Sequence, residues 1–204
     1  MMKELLDYLP QELVDNLDKI EYQEDGGLMI NTIKLVDEDL IVIFKLSFGG
    51  YNLPIQTWQI DIKKIKTEKI IFDWANYPEI YSDHSLLRDY LDNYTELYFN
   101  SKTENSEKLF IDLFKTHNLH FGKWIDFGTC INAPDGILEL CKSDSGLFAR
   151  GSKRILEKYE DCLIRHGIKT KFIGEVESED KDFKLLIFGK SYFIAKDFEF
   201  RRIE

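Results

Sequence analysis

The sequence predicts an α+β fold with antiparallel β-meanders at both ends of the chain and three main amphipathic helices packed on them. Three observations predict it. Apolar and polar residues alternate near both ends, apolar residues recur at helical spacing in the middle, and hydrophobic residues make up 44% of the 204 residues against 31% charged residues. This composition is typical of a globular chain and differs from that of disordered or membrane-spanning chains. We expect a single domain over residues 1–204, with a weak seam at the polar residues 100–105.

The first third is predicted to begin with two short helices and to continue as an antiparallel meander. Leucine, valine and isoleucine recur at nearly helical spacing over residues 3–20, and Pro10 separates the two helical segments. After Gly26 and Gly27, apolar residues alternate with polar ones, and acidic residues or glycines mark the turns. The predicted strands cover residues 28–36, 40–48, 55–62 and 69–74.

Helical spacing replaces strand spacing in the middle of the chain. The first two main helices are predicted over residues 86–98 and 106–117, where apolar residues form one stripe of a helix. The third is predicted to begin at Ser152, which can cap it, and to end at Gly167, which suits the left-handed conformation of a helix end. The remaining predicted strands cover residues 124–131, 136–141, 172–176, 183–188 and 191–203.

The net charge of −10 is concentrated near the start of the sequence. Residues 1–39 contain eleven acidic residues and three lysines, a net charge of −8, whereas the other 165 residues carry −2. Concentrated negative charge repels nucleic acid and anionic lipid and attracts basic proteins, although it can also serve solubility alone. We therefore expect a basic protein partner and no binding to nucleic acid or membranes. The residues expected to supply this field are Asp18, Glu21, Glu24, Asp25, Asp37, Glu38 and Asp39.

The segment from Gly146 to Lys153 nearly matches a phosphate-binding loop. Its pattern, G-x-x-x-x-G-S-K, reverses the last two residues of the G-K-S signature, so the lysine and the hydroxyl exchange places. This reversal disfavours a nucleoside triphosphatase. What remains is a less specific anion site at the start of the third helix, formed by Arg150, Ser152, Lys153 and Arg154. The alternative is that Ser152 simply caps the helix.

Patterns for catalytic or metal chemistry are weak. Glu139 and Lys142 resemble the acid and lysine of metal-dependent nucleases, but on a strand their odd spacing puts them on opposite faces. His117 and His120 have the spacing of a helical zinc pair, although Gly122 favours a helix end close by. The three cysteines lie far apart, which favours a reducing compartment over a disulfide framework. We expect no catalytic residues, no metal and no cofactor.

The sequence therefore favours a non-catalytic protein of the bacterial cytoplasm that binds another protein, since no export segment is evident and lysine far outnumbers arginine. A concrete version is an immunity-type inhibitor whose acidic face covers the basic site of a toxin or nuclease. Exposed aromatic residues often anchor such interfaces, and the candidates are Tyr51, Trp74, Tyr77 and Tyr81. The alternative function is an enzyme or sensor that binds a small phosphorylated anion near residues 150–154.

Overall fold

The computed structural model describes residues 8–50, 53–122, 124–178 and 182–204. Tyr51 and most of the first predicted helix lie outside the described residues. The chain divides into two compact units, one made of residues 1–83 and 182–204 and the other of residues 84–181. Helices and antiparallel sheets occur together, which confirms the α+β class. The single domain over residues 1–204 stays a prediction, and residues 100–105 lie inside the second unit.

The described elements follow one another in this chain order: α1 (Gln11–Leu17), a 3-10 turn (Tyr22–Glu24), β1 (Gly27–Val36), β2 (Asp39–Ser47), β3 (Gln56–Lys63), β4 (Thr67–Lys69), β5 (Trp74–Ala75), β6 (Pro78–Tyr81), a second 3-10 turn (Ser85–Leu87), α2 (Arg88–Leu91), β7 (Tyr94–Phe99), α3 (Ser106–His120), α4 (Ile137–Lys142), β8 (Gly146–Ser152), α5 (Lys153–Arg165), β9 (Thr170–Val176), β10 (Lys184–Phe188), β11 (Ser191–Ala195) and β12 (Asp197–Arg202).

Two antiparallel sheets and α1 build the described part of the first unit. The strand orders are β12-β3-β2-β1-β5 and β4-β11-β10-β6. Both sheets contribute to one apolar core, in which the Phe44 ring packs on Trp58 and, edge to face, on Phe188. Leu13 and Leu17 of α1 are buried in the same core. Burial of these apolar side chains is the main favourable contribution to the stability of this unit.

The first three strands pair in succession as antiparallel neighbours, as the alternation of apolar residues predicts. The predicted continuous fourth strand at residues 69–74 is wrong, because β4 ends at Lys69, β5 begins at Trp74, and residues 70–73 between them form no strand. Ile71 explains the difference: its backbone N–H donates to Ser191 Oγ, and that hydroxyl donates to the Ile71 carbonyl oxygen. A side chain therefore satisfies the backbone groups that a strand partner would otherwise bind.

The second unit consists of a three-stranded sheet, in the described residues, with α3 and α5 packed against each other. The strand order is β8-β7-β9, with β7 in the centre. Leu113 of α3 and Leu156 and Tyr159 of α5 are buried in its apolar core together with Leu97 of β7. The helix predicted to begin at Ser152 occurs as α5, and the positive φ of Gly167 ends it as predicted.

The predicted helix over residues 86–98 is wrong. A 3-10 turn and the four-residue α2 occupy its first half, and Asp92 then takes an extended conformation that ends the helix. The second half is β7, in which Thr95, Leu97 and Phe99 are buried and alternate with more exposed residues. The apolar positions of this segment fit both the helical and the strand period. The segment forms a strand because β7 pairs with β8 on one side and with β9 on the other.

Two further strand predictions of the second unit are wrong, and one strand was not predicted. Residues 124–131 contain turns, and Ile131 makes an isolated bridge to Ala149. Residues 137–142 form the helix α4, on which Glu139 and Lys142 make an ion pair of 2.7 Å, so the two side chains do not lie on opposite faces. The unpredicted strand is β8, which covers most of the loop-like pattern at residues 146–153.

Candidate protein-binding surface

The seven acidic residues expected to form one field lie in two groups. Asp18, Glu21, Glu24 and Asp25 precede β1, whereas Asp37, Glu38 and Asp39 follow it. β1 has ten residues, and at about 3.3 Å per residue its two ends lie about 30 Å apart. This distance exceeds the Debye length of about 8 Å at physiological ionic strength. The structure therefore does not bring all seven carboxylates together.

The second acidic group forms the turn between β1 and β2. Asp37 and Glu38 are exposed at its tip. Asp39 is engaged within the fold, since its carboxylate accepts hydrogen bonds from the Lys64 backbone N–H at 2.9 Å and from Lys63 Nζ at 3.0 Å. These bonds hold the pKa of Asp39 below its ordinary value and raise the pKa of Lys63. Within the described residues, the carboxylates of Asp37 and Glu38 therefore remain without an ion pair at this end of β1.

The first acidic group lies on a loop whose backbone is closely held. The Glu21 N–H donates to the Phe48 carbonyl oxygen, and the Glu21 carbonyl oxygen accepts from the N–H groups of Glu24 and Gly26, each at 3.1 Å. Gly49 makes this approach possible, because its φ is +77° and a Cβ there would lie 2.6 Å from the Glu21 carbonyl oxygen. Backbone hydrogen bonds therefore fix the loop that carries these carboxylates.

Aromatic side chains lie beside this loop because β5 pairs with the start of β1. Met29 is opposite Trp74 in the register, and a Cβ on Gly27 would lie 3.1 Å from Trp74 Cε3, so the indole ring covers the glycine. Tyr77 continues the cluster, with its ring centroid 5.7 Å from that of Tyr22. Trp74 and Tyr77 are nevertheless 49% and 42% exposed.

Tyr22 ties this aromatic cluster to the acidic loop. Its hydroxyl donates to the Asn76 carbonyl oxygen at 3.0 Å. Burial, the hydrogen bond with Tyr77 and the nearby charge of Asp18 all raise the pKa of Tyr22. We call Asp18, Glu21, Glu24, Asp25, Trp74 and Tyr77 the acidic–aromatic surface. Tyr81 lies outside it, and its hydroxyl donates to Glu79 at 2.7 Å.

Three of the four residues of the alternative anion site already contact carboxylates of the chain. Ser152 is buried at the end of β8, and its hydroxyl donates to Asp92 Oδ2 at 2.6 Å instead of capping α5. Arg154 Nε lies 3.3 Å from Asp92 Oδ1, and Lys153 Nζ lies 3.2 Å from Glu175 Oε2. Arg150 is exposed on β8, opposite Glu96 of β7 in the register. This start of a helix therefore holds the protein's own anions.

Asp89 adds a second carboxylate at the same place. It accepts a hydrogen bond from the Ser152 backbone N–H, yet burial, aided by the charge of Asp92, raises the pKa of Asp89 above its ordinary value of 3.8. A carboxyl group with a raised pKa in the folded state binds its proton more tightly there than in the unfolded chain. The free energy of unfolding therefore falls as the pH rises from 3.8 through the folded pKa.

We expect the variant Asp89→Asn to be slightly more stable than the wild type at neutral pH, because the amide avoids the ionisation of a carboxyl group whose pKa is raised and can still accept from Ser152 N–H. The gain is small because Asp89 is exposed to solvent. The advantage should shrink as the pH falls towards about 4. Urea denaturation of both proteins across this pH range measures it, with the exposed Asp135→Asn as control. A stability difference that does not change with pH would contradict the assignment.

His117 and the three cysteines are built into the apolar core of the second unit, whereas His120 is exposed. Both ring nitrogens of His117 are engaged, Nδ1 with Tyr159 Oη at 2.8 Å and Nε2 with the Ile125 carbonyl oxygen at 2.6 Å. Within the described residues no group of three or more potential ligands is placed to hold a metal ion. The cysteines are free and buried, and burial raises the pKa values of Cys130 and Cys141 to about 11, which disfavours the reactive thiolate.

An open groove between α3 and α5, which sequence reasoning missed, has a volume of about 380 Å³. Its charged lining mixes both signs, since each helix contributes cations and a carboxylate: Lys115 and Asp112 from α3, and Lys158, Arg165 and Asp161 from α5. The residues are distributed over two helices far apart in sequence, where each stretch is typical of an ordinary solvated face. Because cations and carboxylates alternate, the groove concentrates neither charge.

Comparison with known proteins gives no matching family model, no matching curated protein and no matching solved structure. None of the helices in the described part of the chain has the length and hydropathy needed to cross a lipid bilayer.

Proposed function

We propose that this chain is a non-catalytic protein-binding module that docks a basic segment of another protein on the acidic–aromatic surface. The observation that carries the proposal is the exposure of Trp74 and Tyr77, which are 49% and 42% exposed beside a fixed acidic loop. Among the described residues, none of the carboxylates of Asp18, Glu21, Glu24 and Asp25 forms an ion pair. Their charge is thus available to a partner.

The combination suits a basic protein for two separate reasons. Tryptophan and tyrosine bury large areas at small entropic cost and are enriched among residues that dominate binding energy. Unpaired carboxylates around them attract a cationic surface and accelerate association. The cationic groups of lysine and arginine can also stack on aromatic faces, so the same partner side chains can use both parts of the surface.

In its concrete form, the module is an immunity-type inhibitor of the bacterial cytoplasm, and its acidic face covers the basic nucleic-acid site of a toxin. The split of the acidic residues narrows this proposal. The loop before β1, rather than the whole region from Asp18 to Asp39, carries the first contact. The alternative function, binding of a small anion at residues 150–154, has less support because Asp92 and Glu175 already engage three of its four residues.

Affinity measurements on surface variants test this function. The partner is first captured from a lysate of the source organism on the immobilised full chain and then purified, and its dissociation constant is measured by calorimetry at about 50 and about 500 mM NaCl. We expect Trp74→Ala to weaken binding about 30-fold, the usual loss at an aromatic hot spot of about 2 kcal/mol. The double variant Glu24→Lys, Asp25→Lys should weaken binding at low salt most strongly.

The matched control is the double variant Glu104→Lys, Asp135→Lys. It makes the same change of net charge at two exposed acidic residues of the second unit, and we expect it to bind nearly as the wild type does. Binding that is indifferent to salt and to both Trp74→Ala and the Glu24 and Asp25 reversal would overturn the proposed function.

A further inference from the structure

In the part of the chain that the structure describes, the outer edge of β1 is unpaired over most of its length. β5 covers this edge opposite Leu28 and Met29 alone. The chain before β5 then turns away, since the Asp73 N–H donates to the Ile71 carbonyl oxygen at 3.0 Å and Ile71 is held by Ser191. From Ile30 to Val36 no strand of the described residues pairs with this edge. Unpaired edges of this kind are templates for an added strand.

The pairing with β2 defines which backbone groups point outward. The turn between β1 and β2 contains two residues, so the pair that closes it, Val36 and Asp39, is a hydrogen-bonded pair of the antiparallel ladder. Hydrogen-bonded and non-bonded pairs alternate along the ladder. The N–H and C=O groups of Ile33 and Leu35 therefore face away from β2, towards the open edge. Lys34 and Val36 direct theirs to β2.

The residues at the two ends of this unpaired edge indicate the charge of a segment that would bind there. Residues 30–36 span about 20 Å at about 3.3 Å per residue. Asp37 and Glu38 are exposed at one end, and the acidic–aromatic surface lies at the other, where Trp74 ends the pairing of β5. An extended segment on this edge would meet carboxylates at both ends. Between them, Leu35 is 69% exposed and offers an apolar contact.

A second copy of this chain fits the edge poorly. Two antiparallel copies that pair the outward residues Ile33 and Leu35 with each other would place Lys34 directly opposite the partner's own equivalent lysine. Like charges directly opposite each other destabilise a strand pair, and lysine on an edge strand is a common device against self-association. A different chain with basic ends avoids this repulsion and gains from the acidic flanks.

We propose that the β1 edge binds an extended segment of the partner protein as an added strand, with lysine or arginine at both ends of that segment. This inference rests on the proposed function and specifies how the partner docks. The segment exchanges backbone hydrogen bonds with Ile33 and Leu35, and its basic ends lie against Asp37 and Glu38 at one end and Glu24 and Asp25 at the other. The two acidic groups, which lie too far apart to form one electrostatic field, would then contact opposite ends of the same bound segment.

A synthetic probe tests the edge directly. The probe is a capped peptide of about eight residues, Lys-Arg-Thr-Val-Thr-Val-Lys-Arg, whose extended backbone of about 26 Å spans the unpaired edge of about 20 Å and whose terminal basic side chains extend towards the two acidic flanks. We expect it to slow the hydrogen exchange of the Ile33 and Leu35 amides about tenfold or more, while the Lys34 and Val36 amides, already bonded to β2, change little. A peptide with glutamate in place of every lysine and arginine should give no protection.

The variant Leu35→Pro removes an outward N–H without breaking the ladder to β2, and Leu35→Ala removes the side chain alone. We expect the proline variant to bind the peptide about tenfold more weakly than the alanine variant. If the proline variant does not fold, the hydrogen exchange of the Ile33 and Leu35 amides in the wild type tests the added strand on its own. The inference is overturned if the peptide leaves the Ile33 and Leu35 amides unprotected, or protects equally with acidic ends.

These outcomes separate the inference from the proposed function. A natural partner whose binding depends on Trp74 but leaves the Ile33 and Leu35 amides unprotected would overturn the added strand and retain the acidic–aromatic surface. Protection of both amides by a partner whose binding is indifferent to Trp74→Ala and to the reversal of Glu24 and Asp25 would overturn the proposed function and the contact with Glu24 and Asp25, and would retain strand addition at Ile33 and Leu35.

Discussion

Asp92→Ala is expected to lower the free energy of unfolding by about 3–5 kcal/mol, the usual cost of removing one partner from a buried ionic network. The Asp92 side chain is 4% exposed and lies within 3.6 Å of Arg88 Nη1 and 3.3 Å of Arg154 Nε. It also accepts the Ser152 hydroxyl proton at 2.6 Å. Without the carboxylate, the buried hydroxyl loses its acceptor, and the Arg88 guanidinium, whose side chain is 18% exposed, loses one of its partners.

Urea denaturation of the full chain measures this loss, with two comparison variants. Ser152→Ala removes one hydrogen bond and should cost about 1 kcal/mol. Asp144→Ala removes a carboxylate that is 83% exposed and paired with Lys102 at 3.6 Å, and it should cost less than about 0.5 kcal/mol. If Asp92→Ala costs no more than Asp144→Ala, the network does not stabilise the second unit.

The contact between Asp92 and Ser152 could not be predicted from the local sequence. Ser152 precedes an amphipathic stripe, so the local pattern predicts a capping residue and free N–H groups for an anion. In the structure the Ser152 hydroxyl instead donates to Asp92, which lies 60 positions earlier in the chain, so Ser152 neither caps the helix nor contributes to an anion site. No local spacing connects the two residues, because pairing of β7 with β8 brings Tyr94 opposite Ser152.

Helices and strands were predictable from the sequence where the spacing of apolar residues clearly fits either the helical or the strand period. β2 has buried residues at alternate positions, and α5 begins and ends at the residues that the sequence marks. The strand Tyr94–Phe99 could not be predicted from the sequence, because its apolar positions fit one stripe of a helix and one face of a strand equally well. Its long-range partners in β8 and β9 resolve the ambiguity, and such partners are invisible in the local sequence.

The candidate site was predictable in its parts and not in its arrangement. Local charge identified the acidic residues, and the positions of Trp74 and Tyr77 near strand ends identified two aromatic anchors. An extended strand of ten residues separates the acidic residues, which the count of charges does not reveal. The pairing of Trp74 with Met29 joins residues 45 positions apart and creates the surface.

His117→Ala is expected to lower the free energy of unfolding by about 3 kcal/mol or more, because it creates a cavity and leaves two buried polar groups without partners. His117 is 1% exposed, its ring is stacked with that of Tyr159, and the Phe127 ring packs against it at a tilt. The Ile125 carbonyl oxygen accepts, so Nε2 must donate to it. Nδ1 therefore accepts the Tyr159 hydroxyl proton, and burial, which raises the pKa of Tyr159, keeps that hydroxyl protonated.

A double-mutant cycle checks this assignment. Tyr159→Phe removes the hydroxyl alone and should cost about 1 kcal/mol, and its effect should largely vanish in the His117→Ala background because the bond no longer exists there. The control is His120→Ala, which changes an exposed histidine at the end of the same helix and should cost less than about 0.5 kcal/mol. If His117→Ala and His120→Ala destabilise equally, or if the two effects at positions 117 and 159 simply add, then His117 does not join α3 to α5 and a ligand-binding role for the pair of histidines regains support.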